Sequence, residues 1–189
     1  MKTNVAAVFT DDMIKTLSTM KGKTLKAIQG VFDYGLSTTD GNLRLVLGQY
    51  ALDIECYYHN VDFLNQDGDV YVDEFAYFTC GRKKLSETFK PFVNKTPISF
   101  MINETISEVV LIRDDISVSN GEHVIMDQAL VIKTTEKAYT ISRQEWFLVS
   151  IDITVSDKIE GFPKIKEVKE AWNGEGRYSV DVNREYLFL

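Results

Sequence analysis

Residues 50–58 alternate strictly between two kinds of side chain, and this pattern constrains the fold more than any other feature of the chain. One set of alternate positions is apolar or aromatic: Tyr50, Leu52, Ile54, Cys56 and Tyr58. The other set holds Ala51, Asp53, Glu55 and Tyr57. Neighbouring side chains of a strand point to opposite faces, so the alternation predicts a half-buried β-strand. Aromatic residues make up 12% of the chain and favour strands over helices, so we expect a mainly β protein.

The other elements follow from turn and capping signals. Further strands are predicted over residues 24–33, 43–47 and 69–80, with a two-residue loop at 48–49 and a turn at Asp67-Gly68. A short helix is predicted over residues 11–21, with Thr10 as its N-cap. The tail leaves two alternatives open. Residues 165–172 have the apolar spacing of a helix, whereas the Asn-Gly pair at 173–174 is a hairpin signal.

Three segments of the first half of the chain recur in the second half in the same order. Residues 24–28 resemble 105–109, residues 51–55 resemble 129–133, and residues 74–79 resemble 145–150. This order predicts an internal duplication into two similar antiparallel β-sheet or barrel-like units. The first unit spans residues 1–95 and includes the N-terminal helix, and the second spans residues 96–189 and includes the C-terminal strand.

The net charge of the chain is concentrated in residues 45–81. This segment has seven acidic residues and no Lys or Arg, while the rest of the chain has 21 residues of each sign. If the strands at 50–58 and 69–80 pair with their apolar faces inward, their outward faces bring six acidic and tyrosine side chains together. These six are Asp53, Glu55, Tyr57, Asp69, Tyr71 and Asp73. Like charges on adjacent strands are destabilising, so the pattern indicates either a face that keeps the protein soluble or a docking surface anchored by tyrosine.

We interpret these six side chains as candidate partner-binding residues. The expected function is a non-enzymatic protein-binding module that attracts a basic partner protein by charge, as an inhibitor or immunity-type protein would. Two alternatives remain open. One is a small-ligand-binding, barrel-like protein whose inward aromatic residues line a cavity. The other is an enzyme that uses Asp or Glu as its base.

Catalytic and metal-binding motifs are weak or incomplete. The chain has two histidines, and it contains no serine elbow and no Gly-rich nucleotide loop. Residues around Gly68 match a calcium loop in part, but Phe63 stands at the first ligand position and the flanks are predicted strands. Cys56 and His59 supply one ligand pair where a structural zinc site takes two. We expect no catalytic residue, metal or cofactor, and we expect Cys56 and Cys80 to be reduced core thiols.

Charge and hydropathy argue against nucleic-acid binding, membrane insertion and secretion. A net charge of −7 argues against direct nucleic-acid binding, which requires clustered Lys and Arg. No apolar run approaches the ~20 residues of a membrane-spanning helix. The first nine residues contain an apolar run of five, which is too short for a signal peptide. We therefore expect a cytoplasmic protein that does not enter membranes.

Overall fold

The computed structural model describes residues 4–64, 69–143 and 146–189 of the chain. These residues form ten strands and two helices. The strands are β1 (Asn4–Ala7), β2 (Thr24–Phe32), β3 (Thr38–Leu47), β4 (Ala51–Leu64), β5 (Val70–Lys83), β6 (Ile98–Val118), β7 (His123–Thr134), β8 (Ala138–Arg143), β9 (Ser150–Ser156) and β10 (Val180–Phe188). The helices are α1 (Asp11–Ser18) and α2 (Ile165–Trp172). All ten strands belong to one sheet, which confirms the expected mainly β fold.

Six of the strands pair in a closed ring. Going round it, β2 pairs with β3, β3 with β9, β9 with β8, β8 with β7, β7 with β6, and β6 with β2. Strand β6 has 21 residues, enough to pair with β2 along its first part and with β7 along the rest. The seam between β3 and β9 is short, running over three residue pairs from Thr38↔Asp152 to Asp40↔Ser150. The β4–β5 hairpin, β10 and β1 extend outward from β3, β6 and β7, respectively.

The structure does not show a division into two units. Strand β2 pairs with β6 and β3 pairs with β9, so strands from residues 1–95 and 96–189 hydrogen-bond to one another within the same sheet. The third matched segment also differs between the halves. Residues 74–79 lie within β5, whereas residues 146–149 precede β9 and belong to no strand. The internal duplication therefore stays a prediction.

Two parts of the apolar core determine where the β4–β5 hairpin lies. The larger part contains buried side chains from the strands of the ring and from the near half of the hairpin, among them Leu25, Leu45 and Ile54. The second part lies between the far half of the hairpin, the strands β1, β6 and β7, and helix α2, and it contains Phe63 and Phe75. The hairpin thus contributes to both parts of the core.

Helix α1 begins where the sequence predicts and ends earlier. The Thr10 hydroxyl accepts a hydrogen bond from the backbone N–H of Met13 at 3.3 Å, which satisfies a donor that a helix start leaves free. The helix ends at Ser18 rather than residue 21. Thr19 donates both its backbone N–H and its hydroxyl to the carbonyl of Thr16, and this tight turn directs Met20 into the core, where it is fully buried.

The ambiguous tail is a helix followed by a strand. Helix α2 is anchored by Val168, which is fully buried. The chain leaves the helix through Gly174, whose φ of +57° lies in the left-handed region that favours glycine. A Cβ at Gly174 would lie 2.7 Å from the ring of Tyr178. The Asn-Gly pair therefore terminates a helix here and does not form a hairpin turn.

Candidate functional site

The predicted antiparallel pairing of the strands at 50–58 and 69–80 is confirmed, but residues 51–58 lie opposite residues 76–83, and residues 70–75 lie opposite residues 59–64. Strands β4 and β5 pair antiparallel with no register shift, from Ala51↔Lys83 to Leu64↔Val70. In this register the odd-numbered residues of both strands share one face of the hairpin and the even-numbered residues share the other. The turn at Asp67-Gly68 and the central residues 65–68 of the partial calcium loop lie outside the described residues.

The buried face of this hairpin changes halfway along its length. Near the ring the even-numbered face is buried, and Ile54, Cys56 and Phe78 are each at most 3% exposed. Toward the far end the odd-numbered face is buried instead, with Phe63 at 2% and Phe75 at 0%. A long two-stranded ribbon twists strongly, so opposite faces of the hairpin can meet the two parts of the core. The alternation of residues 50–56 therefore does not extend to the far half.

The six predicted partner-binding residues do not form a single cluster. Asp53, Glu55 and Tyr57 lie in the near half of the hairpin, opposite Gly81, Thr79 and Tyr77. Tyr71 and Asp73 lie in the far half, opposite Phe63 and Val61, and Asp69 directly precedes β5. Val61 is four positions beyond Tyr57 on β4, which corresponds to about 13 Å along a strand. The structure thus places the six residues in two separate groups.

Asp53 is not on an exposed face, contrary to our expectation. Its side chain is 8% exposed and forms a two-point ion pair with Arg44, at 2.6 Å from Nε to Oδ1 and 3.0 Å from Nη2 to Oδ2. Arg44 also donates to the carbonyl of Glu87, and its guanidinium lies 5.4 Å from the centre of the Phe89 ring. Because both carboxylate oxygens are engaged, Asp53 holds β4 to β3 and to the connection that follows β5.

Glu55 and Tyr57, which follow Asp53 on β4, are hydrogen-bonded to each other. The hydroxyl of Tyr57 donates a hydrogen bond to the carboxylate of Glu55. Burial, and next this hydrogen bond, raise the pKa of Tyr57 to about 12, so the hydroxyl stays protonated at neutral pH. The Tyr57 ring is 37% exposed and packs 5.4 Å from the ring of Phe92. This pair therefore offers a partner an aromatic ring and one half-buried carboxylate.

The exposed carboxylates of the hairpin are concentrated in its far half. They belong to Asp62, Asp69, Asp73 and Glu74, and we call these four residues the acidic surface. Asp62 and Glu74 lie on the even-numbered face and Asp73 on the odd-numbered face, so the acidic surface includes exposed positions on both faces of the hairpin end. Within residues 4–64, 69–143 and 146–189, no Lys or Arg forms an ion pair with Asp62, Asp73 or Glu74. These three exposed carboxylates therefore carry negative charge without an ion-pair partner in the described part of the chain.

Our prediction omitted Asp62 and Glu74 from this surface. Glu74 lies on the even-numbered side of residues 69–80, which we assigned to the core, and Asp62 lies beyond the strand that we predicted over residues 50–58. A signal against that assignment was present in the sequence. Even-numbered positions 60 and 62 are Asn and Asp, where a continuing apolar face would need apolar residues.

Aromatic residues from the second half of the chain cover the odd-numbered face of the hairpin's far half, where Phe63 and Phe75 are buried. Phe147 lies 6.1 Å from Phe63 and 5.7 Å from Phe75, and Trp172 lies 6.3 Å from Phe75, measured between ring centres. We did not predict from the sequence that Phe147 or Trp172 would contact the hairpin, since they are more than 60 positions from it. Tyr71 lies at the margin of this layer and is 45% exposed. Burial, followed by the charges of neighbouring carboxylates, raises its pKa.

The two thiols are expected to be unreactive in the folded protein. Burial raises the pKa of Cys56 to about 11 and that of Cys80 to about 12. At pH 8 about one Cys56 thiol in a thousand is then ionised, and the thiolate is the reactive form. We expect less than one equivalent of Ellman's reagent to react within an hour in native protein, and two equivalents after unfolding in guanidinium. Rapid reaction of either thiol in buffer alone would contradict the burial seen here.

Comparisons with known proteins give no match to a protein-family model, a curated protein or a solved structure. In the part of the chain that the structure describes, no group of three or more His, Cys, Asp and Glu side chains is arranged to hold a metal ion. None of the described helices has the length and apolar character needed to cross a membrane. The expected lack of a catalytic residue, metal or cofactor stays a prediction.

Proposed function

We propose that this protein is a non-enzymatic binding module whose acidic surface docks a basic partner protein, in the manner of an inhibitor or immunity-type protein. The observation that supports this proposal most strongly is the exposure of Asp62, Asp73 and Glu74 without a cationic neighbour in ion-pair contact among the described residues. Carboxylates that lack such a neighbour repel one another and gain most from a partner that supplies positive charge.

The distribution of charge along the chain supports the same proposal. Residues 45–81 carry all of the net negative charge, because the remaining acidic and basic residues are equal in number. Part of this charge is neutralised internally, since Arg44 pairs with Asp53. Four of the remaining acids, Asp62, Asp69, Asp73 and Glu74, lie in the far half of one hairpin, where they create a local negative potential. Such a potential raises the association rate of an oppositely charged protein.

Exposed apolar side chains around the acidic surface would supply contact area. Tyr58 is 40% exposed, Tyr71 45% and Val72 63%. Tyrosine combines a large apolar ring with a polar hydroxyl and is enriched at protein interfaces. We therefore assign attraction and orientation to the carboxylates and the contact energy to these side chains. The proposal retains Glu55, Tyr57, Asp69, Tyr71 and Asp73 and adds Asp62 and Glu74. It also retains the predicted cytoplasmic location.

Charge-neutralising variants test this proposal. A triple variant, Asp62→Asn with Asp73→Asn and Glu74→Gln, removes three charges from the acidic surface. The control is Asp33→Asn with Asp40→Asn and Glu160→Gln, which removes three exposed charges elsewhere and gives the same net charge. Each tagged protein is used to capture basic proteins from a lysate of the source organism at low and high salt, and a captured partner is then purified for kinetic measurements.

We expect the hairpin variant to reduce the association rate of that partner at low salt by about tenfold or more, because local charge steers encounter. The control variant is expected to behave as the wild type, and high salt should remove the difference. Equal losses in both variants would show a general effect of net charge. No loss in either would show that these carboxylates serve solubility and the protection of an edge strand. Either result would refute the proposed docking surface.

A further inference from the structure

An aromatic cavity lies behind the acidic surface, on the inner side of the hairpin. Its volume is about 570 Å³, within the range of small-molecule sites in proteins. Six aromatic side chains line it: Phe63, Tyr71, Trp146, Phe147, Trp172 and Tyr178. They come from the hairpin, from the connection between β8 and β9, from helix α2 and from the turn after it. The cavity therefore forms only when segments from distant parts of the chain assemble.

The walls of the cavity are fixed by packing. The rings of Trp146 and Trp172 lie 5.7 Å apart at an angle of 51°. The indole N–H of Trp146 donates to the side-chain carbonyl of Gln128 at 3.3 Å, and Gln128 is itself fully buried. Because these contacts hold the rings in place, their faces are available to a ligand without a large ordering cost.

One carboxylate lines this aromatic cavity. Glu122 is 9% exposed, and its carboxylate has no hydrogen bond or ion pair with any described residue. Its backbone is fixed, because its N–H donates to the side chain of Asn120 and its carbonyl accepts from Val118. The charge of Glu122 contributes to the raised pKa of Tyr71, which places the two polar groups near one another. Glu122 has no cationic partner in contact among the described residues, so a cation bound in the cavity would gain a favourable electrostatic interaction with it.

A second polar group also lacks a partner. The indole Nε1 of Trp172 is buried and has no hydrogen-bond acceptor among the described residues. Buried donors in proteins are normally satisfied. This N–H is enclosed in the wall and does not face the cavity. The described lining of the cavity thus offers one carboxylate and several aromatic faces, and it contains no Lys or Arg.

From this combination we infer that the cavity binds an organic cation, an ammonium group that carries apolar substituents. Glu122 supplies the opposite charge, and the aromatic faces attract the cation through their quadrupoles. The same chemistry is found in a free quaternary amine and in a methylated lysine side chain of a peptide. The inference goes beyond the proposed docking function and does not depend on the acidic surface.

The two tryptophans of the chain both line the cavity, so intrinsic fluorescence reports directly on its occupancy. Wild-type protein is titrated with choline and, separately, with 3,3-dimethylbutan-1-ol, which has the same shape without the charge. We expect a saturable fluorescence change with choline and an apparent affinity about tenfold or more weaker for the alcohol, because the alcohol lacks the charge–carboxylate and cation–π terms. Equal affinities, or no saturable change with choline, would overturn the inference.

Single substitutions test whether choline binds in the cavity and whether Glu122 contributes to its affinity. Glu122→Gln is expected to weaken choline binding about tenfold and to leave the affinity for the alcohol unchanged. The control Glu136→Gln removes an exposed charge from the turn after β7 and is expected to bind choline as the wild type does. The acidic-surface triple variant should also keep its choline affinity, which separates this inference from the proposed docking function. Unchanged choline binding in Glu122→Gln would refute the role of the carboxylate.

A further titration distinguishes the two sources of the cation. The probe is a capped tripeptide with trimethyl-lysine at its centre. An affinity at least tenfold higher than that of choline would identify the site as a reader of modified lysine, and an affinity at least tenfold lower would identify a free amine as the ligand. In both cases the same cation chemistry is confirmed.

Discussion

Asp127→Asn is expected to lower the free energy of unfolding by about 3–5 kcal/mol, the range found when one partner of a buried ion pair is removed. Asp127 is fully buried in β7. Its carboxylate accepts the backbone N–H of Phe9 at 2.6 Å and two hydrogen bonds from Arg113, at 2.8 and 3.1 Å. Asparagine keeps the shape of the side chain, but it removes the charge and turns an N–H₂ group toward one of these donors.

The guanidinium of Arg143 increases the loss of stability that we expect for Asp127→Asn. Arg143 is 2% exposed and donates to the backbone carbonyls of Asp127, Ala76 and Ala7. Burial lowers the pKa of Arg143 to about 10, and the charge of Asp127 acts in the opposite direction. Arg143 is therefore still charged at neutral pH. Without the charge of Asp127, a buried cation would lose the nearby carboxylate that stabilises it.

Urea unfolding at pH 7, followed by fluorescence, measures this effect. Asp115→Asn is the matched control, because it removes the same charge from a side chain that is 45% exposed and contacts His123. We expect the control to change the free energy of unfolding by no more than about 0.5 kcal/mol, as is usual for surface substitutions. Similar changes in the two variants would show that the buried network contributes little.

Asp53→Asn is expected to destabilise the protein by a similar amount, about 3–5 kcal/mol, and to leave partner binding unchanged. The carboxylate is the only charged partner of Arg44 among the described residues, and Arg44 is 4% exposed. The substitution leaves a buried guanidinium without its counter-charge. It removes no exposed charge, so the acidic surface keeps its potential. This result would assign Asp53 to folding and not to recognition.

A double variant provides the control for this second prediction. Replacing the pair by Arg44→Met and Asp53→Leu removes both buried charges together, and such replacements are often neutral or stabilising. We expect the double variant to recover most of the stability lost in Asp53→Asn, again measured by urea unfolding. Failure to recover it would show that the hydrogen bond from Arg44 to the carbonyl of Glu87, rather than the ion pair, carries the stability. Loss of partner binding in a folded Asp53→Asn protein would restore Asp53 to the docking surface.

Local rules account for the parts of the fold that could be predicted from the sequence. Thr10 marks the start of α1 because its hydroxyl satisfies a free N–H of the first turn, whatever the rest of the chain does. The alternation over residues 50–56 identifies a strand and its buried face, because neighbouring side chains of any strand point to opposite faces. The Arg44–Asp53 pair could also have been found. The two-residue loop predicted at 48–49 places these two side chains opposite each other, as the structure does.

Contacts between distant residues account for what could not be predicted. The far half of the hairpin buries its odd-numbered face because Phe147 and Trp172 pack there, and no local pattern within β4 and β5 specifies those partners. The aromatic cavity depends on the same long-range assembly. The ring of six strands depends on the pairing of β3 with β9. Strand propensity identifies such segments but does not determine which of them become neighbours.

The short seam between β3 and β9 has a consequence for biosynthesis. Asp40 pairs with Ser150, so the ribosome must add about 110 further residues after making the first side of the seam. At typical elongation rates this takes roughly 5–20 seconds. During that time the start of β3 is an open strand edge, which is prone to pair with other chains. The nascent protein is therefore most in need of chaperone protection before β9 emerges, and the closing of the ring ends that period.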